Sequence, residues 1–414
     1  MTGARSMTSS CTRPRARGGF TLIELLVALG LTAVVSVGLY SLSAVAAQTF
    51  QQQQRVSEMQ LRLRTAMEQI RSDLQRAGYM GTPASDLDPR VCPRPAAVIQ
   101  GVELRRSLVP IPLPADNAFI APVELRLTGN FQSTDEYYIQ GINGTTVYLQ
   151  HRTQEFADRV PDAATMDQIF RGRMVRLTSP DGSMQFGMVT GTTYFPPSNA
   201  TSFPSLTLST APTIVGANAG GGTTAGCGIP AIGTGSTLAP VTTVVYRFDI
   251  PSNISAWAGR AYSGNALTQT SRMDLIREEY NVTAGGLVLI PGAQRLVAEF
   301  AADFDVAAVI DTAGIGLGEP TLTRLPFGDA RNFSTLALTG GGAAAPERAR
   351  SLVVRLSVRD RVQDPDFGWS ARSAASEPLT RYRVFTAQRG AARVRTVTTE
   401  MGLPNIAFRN LRLH

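Results

Sequence analysis

A single carboxylate, Glu24, stands inside an otherwise uncharged run of 28 residues from Phe20 to Ala47, FTLIELLVALGLTAVVSVGLYSLSAVAA. A carboxylate near the start of a membrane segment costs a few kcal/mol on insertion scales, so it calls for a compensating partner. The partner can be water at the interface, the positive end of the helix itself, or a charge on another molecule. Other chemistry-bearing groups are sparse. Asp303 and Asp305 stand i,i+2, a spacing that suits an acid pair or the solvated edge of a strand. Asp86 and Asp88 offer two hard oxygen ligands but lack an EF-hand pattern. The two histidines, His151 and His414, are too few and too far apart for a zinc site, and His151, beside Arg152, is expected to be a solvated strand-end residue. Gly-x-Ser-x-Gly and His-Glu-x-x-His are missing, as is the Gly-Lys-Ser/Thr of a phosphate loop. A membrane-anchored hydrolase therefore has no motif to stand on, and no catalytic residue, metal site or cofactor is expected.

The elements that must position Glu24 begin with a basic leader. Arg5, Arg13, Arg15 and Arg17 precede the apolar run, and the first nineteen residues contain no Asp or Glu. Removing those four charges from the net +7 leaves +3 on the rest of the chain, which discounts a nucleic-acid surface. All 39 basic residues are Arg, which reflects a GC-rich genome rather than selection for guanidinium chemistry. The run exceeds the ~20 residues needed to cross a bilayer, and the Arg cluster places its start on the cytoplasmic side. An ordinary secretory signal ends in a small-residue cleavage site after a shorter apolar stretch. Here the polar-to-apolar boundary comes first, so cleavage at Gly19-Phe20 retains the helix in the mature protein.

Beyond the run, Val56, Met59, Leu63, Met67, Ile70 and Leu74 form an apolar stripe of helical period, with Arg and Glu on the other faces. No proline occurs between Pro14 and Pro83, and Gly78 is a natural stop. One helix is expected from about Phe20 to Ala77, roughly 87 Å long at ~1.5 Å per residue, with Gly30 and Gly38 its weakest positions. Its outer half is expected to pack on the chain's own sheet, with a coiled-coil partner face as the alternative. Past Gly81 the period changes to alternation, as in Val123-Glu124-Leu125-Arg126-Leu127 and Val354-Arg355-Leu356-Ser357-Val358-Arg359. Alternation predicts antiparallel strands with one covered and one solvated face. The expected fold class is α+β, a long N-terminal helix with a membrane-spanning first half packed on an antiparallel sheet. Gly-rich stretches near 195–240 and 311–347 are expected to be long loop insertions.

The segment RGGFTLIELLVALGL, residues 17–31, resembles the signal of type IV prepilins and type II secretion pseudopilins: Gly before the cut, an aromatic at the new N-terminus, Glu as fifth mature residue. The resemblance implies that a prepilin peptidase cuts between Gly19 and Phe20 and methylates the Phe20 amine. It also implies that Glu24 acts as a register device, pairing with the α-ammonium of a neighbouring subunit during assembly. The organisation it implies is a leader (1–19), a transmembrane assembly helix (20–47), its amphipathic continuation (48–78) and a periplasmic β-rich domain (79–414). Loss of the leader removes Cys11 and leaves Cys92 and Cys227, an even count in an oxidising compartment and a candidate disulfide.

Looser motifs resemble the PilW-type minor pilins: Ser72-Asp73-Leu74-Gln75-Arg76-Ala77-Gly78-Tyr79, Val244-Val245-Tyr246-Arg247-Phe248-Asp249, Leu275-Ile276-Arg277-Glu278-Glu279, Ala302-Asp303-Phe304-Asp305 and Arg383-Val384-Phe385. That family order implies a helix ahead of the acidic strand at 302–305 and a late Arg-rich strand, and Tyr382 to Phe385 itself has strand character. It implies a structural subunit rather than an enzyme, in the inner membrane and then the pilus. The partners implied are other minor pilins, the major pilin and a PilY-type tip adhesin, with no nucleic acid. The alternative is a J-type pseudopilin of a type II secretion system.

Overall fold

The computed structural model describes residues 21–107, 116–117, 119–120, 122–133, 135–151, 153–180, 182–199, 201–212, 235–250, 272–283, 285–312, 321–329, 332–333 and 346–407. They fall into two units, one ending at Ser57 and one starting at Glu58. Helix α1 is Leu22–Arg76, and every residue of the apolar run within it is exposed.

In the second unit the apolar stripe is buried as its spacing predicts: Met59, Leu63, Met67, Ile70 and Leu74 lose nearly all contact with solvent. Full burial of each such side chain is worth about 1.5–3 kcal/mol. The helix ends at Arg76, and Gly78 takes φ +73°, the left-handed conformation that glycine adopts without steric cost. Gly78 N–H then donates to Thr128 O at 2.8 Å, tying the helix end to the sheet. The approach is tight at Gly129, where an added Cβ would lie 2.5 Å from Arg76 O.

Strand β8, Thr237–Asp249, is the spine of the larger sheet. Its second half pairs with β2 (Val123–Gly129) on one side and β9 (Asp274–Thr283) on the other. Strands β1 (Val102–Arg106) and β10 (Gly286–Ala298) extend this sheet outward. Its first half pairs with β3 (Tyr137–Asn143) and β5 (Met174–Thr178). Strands β4 (Thr146–Leu149), β7 (Ser205–Leu208) and β6 (Met184–Thr193) complete the circuit from β3 to β5. The ladder β8-β3-β4-β7-β6-β5-β8 therefore closes on itself as a six-stranded antiparallel barrel inserted between β2 and β8. Its interior is filled by Tyr137, Ile139, Leu149, Val175 and Leu206, with Phe156 from α2 (Gln154–Arg159) and Phe170 from α3 (Ala163–Phe170). Both helices start at caps readable in the sequence: Thr153 Oγ1 accepts from Phe156 N–H and Asp162 from Thr165 N–H.

A second, five-stranded sheet runs β12-β11-β13-β15-β14, comprising Leu322–Arg324, Ala301–Asp311, Ala349–Arg359, Ala392–Gly402 and Arg381–Tyr382. A short helix, α4 (Pro404–Ala407), follows β15. The α+β class and the helix-on-sheet arrangement are as expected.

Four expectations are corrected. No helix precedes the acidic strand: β10 runs to Ala298, and Phe300, at φ +53°, turns the chain directly into β11. The late strand stops at Tyr382, because the N–H groups of Val384 and Phe385 donate to Gln363 Oε1, both at 2.9 Å, instead of to a ladder. Strands β11 and β13 are covered on both faces, not one. The stretch 195–240 is not all loop, since Ser205-Leu206-Thr207-Leu208 forms β7 and β8 begins at Thr237; likewise β12 lies within 311–347.

Candidate functional site: the start of the helix

Thr21 and Glu24 satisfy each other at the N-terminus of α1. Thr21 N–H and Thr21 Oγ1–H each donate to Glu24 Oε2 at 3.0 Å, and Glu24 N–H donates back to Thr21 Oγ1 at 3.3 Å. This is a capping box, in which Thr and Glu three residues apart satisfy backbone donors that a helix start leaves unpaired. In a membrane such donors have no water to turn to, so the carboxylate offsets part of its own insertion cost. The contacts of the acid among the described residues use Oε2, which leaves Oε1 directed at none of them. One carboxylate can thus cap its own helix and still present an acceptor to a second molecule. Attention to Glu24 as an isolated charge missed Thr21; the Thr-x-x-Glu spacing ahead of an apolar run is the signal that finds it. Gly19 and Phe20 lie outside the described residues.

Two buried charge clusters in the second unit were not anticipated from sequence. In the first, Asp73 Oδ2 on α1 accepts from Tyr246 Oη–H and from Arg277 Nε–H, both at 2.6 Å. Arg277 Nη1 donates to Glu279 Oε1 at 2.8 Å, and Glu279 Oε2 accepts from Gln132 Nε2 at 2.7 Å and Arg173 Nη1 at 3.3 Å. Burial and the Asp73 carboxylate push the Tyr246 hydroxyl well above its usual range. Burial opposes the charge on Glu279, but the hydrogen bond and charge of Arg277, joined by Arg173, hold its carboxyl below the usual range. The chain of contacts runs from the helix through β8 and β9 to the base of the barrel, which is a positioning role.

In the second cluster, Asp303 and Asp305 on β11 are buried, contrary to the solvated edge expected of them. Asp303 Oδ2 lies 3.3 Å from Arg355 Nη2 and accepts from Arg372 Nη1 at 3.1 Å; Arg355 Nη2 also donates to Asp305 Oδ2 at 3.2 Å. Arg355 is held further by the carbonyls of Ala375 at 2.8 Å and Ser376 at 3.1 Å, and its guanidinium stacks 4.2 Å from the Phe327 ring. Burial, with the Asp303 charge beside it, pushes Asp305 up to about 6. A raised acid can do general acid–base work only where substrate reaches it. Here both carboxylates are sealed under the loop carrying Arg372, so the pair is structural.

His151 is fully buried rather than solvated, with Nε2 3.3 Å from Asn199 O and its ring edge-on to Phe156 and Phe203. Asp88 is taken up by Thr82 Oγ1–H at 2.8 Å and Arg90 N–H at 3.0 Å. Among the described residues, no group of three or more His, Cys, Asp or Glu side chains is placed to hold a metal ion. Cys92 is disulfide-bonded, and its segment is docked on β6 by Cys92 N–H to Met184 O at 2.9 Å and Met184 N–H to Arg90 O at 2.7 Å. Cys227, the expected partner, lies outside the described residues.

Residues 14–40 match a family model described as the prokaryotic N-terminal methylation motif. No curated protein and no solved structure matches the chain. The motif, ahead of an apolar helix and an antiparallel domain, supports a type IV pilin- or pseudopilin-like protein, and it implies processing by a prepilin peptidase and assembly with other pilins.

Proposed function

We propose that the chain is a PilW-like minor pilin, a structural subunit of a tip complex that primes pilus assembly and presents a PilY-type adhesin. Cleavage between Gly19 and Phe20, with methylation of the Phe20 amine, frees an ammonium that pairs with Glu24 of a neighbour. The subunit then leaves the inner membrane by exchanging lipid for helix contacts. The observation that carries the tip position is bulk. A unit from Glu58 to His414, enlarged by a closed barrel between β2 and β8, is harder to repeat around a tightly packed shaft than to seat once at its end. Deleting the gene should strip surface pili while leaving type II secretion intact; loss of secretion with normal pili would assign the J-type pseudopilin role instead.

Processing has a direct readout. The chain from cells that hold the peptidase should begin at Phe20 carrying one methyl group, read by mass spectrometry of its N-terminal peptide, and Gly19→Leu should leave the precursor uncut. A mature N-terminus beyond Ala47 would contradict the proposal, since the assembly helix would be gone.

We further propose that Cys92 pairs with Cys227. The only other cysteine, Cys11, sits in the leader. The bond closes a loop of more than 100 residues, for which the chain-entropy model gives about 4–5 kcal/mol. Thiol labelling of the mature protein, unfolded without reductant, should find no reactive cysteine, and two after reduction. Two before reduction would rule the bond out.

A further inference from the structure

Strand β14 pairs with β15 so that Arg381 stands directly opposite Arg393. Paired residues of an antiparallel ladder share a face, and like charges placed this way are destabilising. Arg395, two residues further along β15, lies on the same face by alternation and is exposed. Three guanidiniums thus form a row on one face of the second sheet. The packing holds this row in place. Phe367 lies against two of its members, with its ring centre 4.9 Å from the Arg381 guanidinium and 4.6 Å from that of Arg393. Arg381 Nη1 also donates to Ser370 Oγ at 2.7 Å. Stacking on a ring fixes the plane of a guanidinium and leaves N–H groups at its edge for an anion. Of the three, Arg393 alone meets a carboxylate among the described residues, that of Asp364 at 3.2 Å, which leaves the row two positive charges in excess. The neighbouring Arg383 shows the balanced alternative: it lies 6.0 Å over Trp369 and pairs with Asp116 at 3.0 Å. Glu400, the one acid of β15, falls on the opposite face. The excess is local. Residues 359–402 hold eight Arg and five Asp or Glu, a balance of +3, which equals the whole excess of the chain once the four Arg of the leader are set aside.

We infer that the row Arg381, Arg393 and Arg395 docks an acidic segment of a partner protein whose carboxylates recur at every second residue. Arg393 and Arg395 stand ~6.6 Å apart at ~3.3 Å per residue, which is also the spacing of same-side residues in an extended peptide. A carboxylate arriving between Arg381 and Arg393 removes the repulsion that their opposition creates in the free chain, and it makes charge-assisted hydrogen bonds to both. Arg and aromatic side chains together are the composition of a protein-binding surface, from which Lys and acids are depleted. A nucleic acid fits this row less well, because it needs aromatic faces open to stack bases, and Phe367 is already taken up by guanidiniums. Exposed ion pairs are individually weak, so the affinity is modest and falls with salt. The surface serves a subunit of a pilus or of a secretion system equally.

The test uses the full chain in mild detergent at low salt. The probe is a synthetic peptide of Thr and Gly that carries three Asp at alternate positions. Its isomer carries the same three Asp at every third position, where an extended chain points successive ones to opposite sides. The alternating peptide should bind about fivefold more tightly than its isomer, and Arg381→Gln with Arg395→Gln should weaken it about tenfold. Arg64→Gln with Arg324→Gln removes the same net charge from exposed positions elsewhere in the unit and should leave the affinity unchanged. Far-UV dichroism of both double variants should match the parent, so that lost binding is not lost folding. Equal binding of the two isomers, equal loss in the two double variants, or no saturable binding at all would overturn the proposal. Double-stranded DNA or polygalacturonate that binds more tightly than the peptide, and loses its binding in Arg381→Gln with Arg395→Gln, would also overturn it and give the row to a nucleic acid or a glycan. A dimer in peptide-free solution that the same double variant dissociates would give the row to a second copy instead.

Discussion

Replacing Arg355 with methionine should destabilise the folded unit by about 3–5 kcal/mol, the cost of removing one partner from a buried charge cluster. Arg355 serves both Asp303 and Asp305, so its loss leaves Asp303 with Arg372 and Asp305 without a cationic partner among the described residues. Denaturant unfolding at neutral pH measures the loss. The pH dependence identifies its cause. Asp305 in the folded state is already raised to about 6 from 3.8, so the native state binds its proton more tightly than the unfolded chain does. Stability from that proton is fully present below about pH 4 and lost as pH rises through about 6. Removing the guanidinium makes the charged form worse still, so the deficit of Arg355→Met should shrink on acidification from pH 7 to 5. Adding Asp305→Asn should recover part of it at pH 7. A deficit that ignores both pH and Asp305→Asn would assign the effect to lost packing against Phe327 instead.

Glu24→Gln should reduce incorporation into sheared filaments at least tenfold while leaving membrane insertion intact, on the proposed pairing with a neighbour's ammonium. Glutamine keeps the shape of the capping box, since Gln replaces Glu in that motif, and it removes the charge. Glu24→Val removes both and lowers the polar cost of insertion, so it too should reach the membrane. The pair of variants separates the two roles of the carboxylate. If valine fails and glutamine assembles normally, Glu24 matters as a cap of the helix start and not as a charge. If both fail alike, the negative charge is what assembly needs. Wild-type incorporation of both would leave Glu24 as a determinant of cleavage or methylation only.

The apolar run with its one acid, the basic leader, and the stripe from Val56 to Leu74 are local patterns. A helix periodicity and a hydropathy boundary need no distant residue to be read, which is why the class of protein, the helix and its buried face follow from sequence alone. The Thr21–Glu24 box is equally local and was readable by the same means. Tertiary structure decided what depends on pairing across the chain. Alternation showed that β11 and β13 were strands, but not that loops from 372 to 384 would cover their second face and turn Asp303, Asp305 and Arg355 into core residues. Nor does any local pattern tell Thr237–Asp249 to divide its two halves between a sheet and a barrel. Closure of that barrel is set by register between strands up to about a hundred residues apart in the sequence. Asp73, Tyr246 and Arg277 illustrate the difference: each reads alone as an ordinary polar residue, and only the fold brings all three to within 2.6 Å contacts in a dry interior where a charge without its partner is costly.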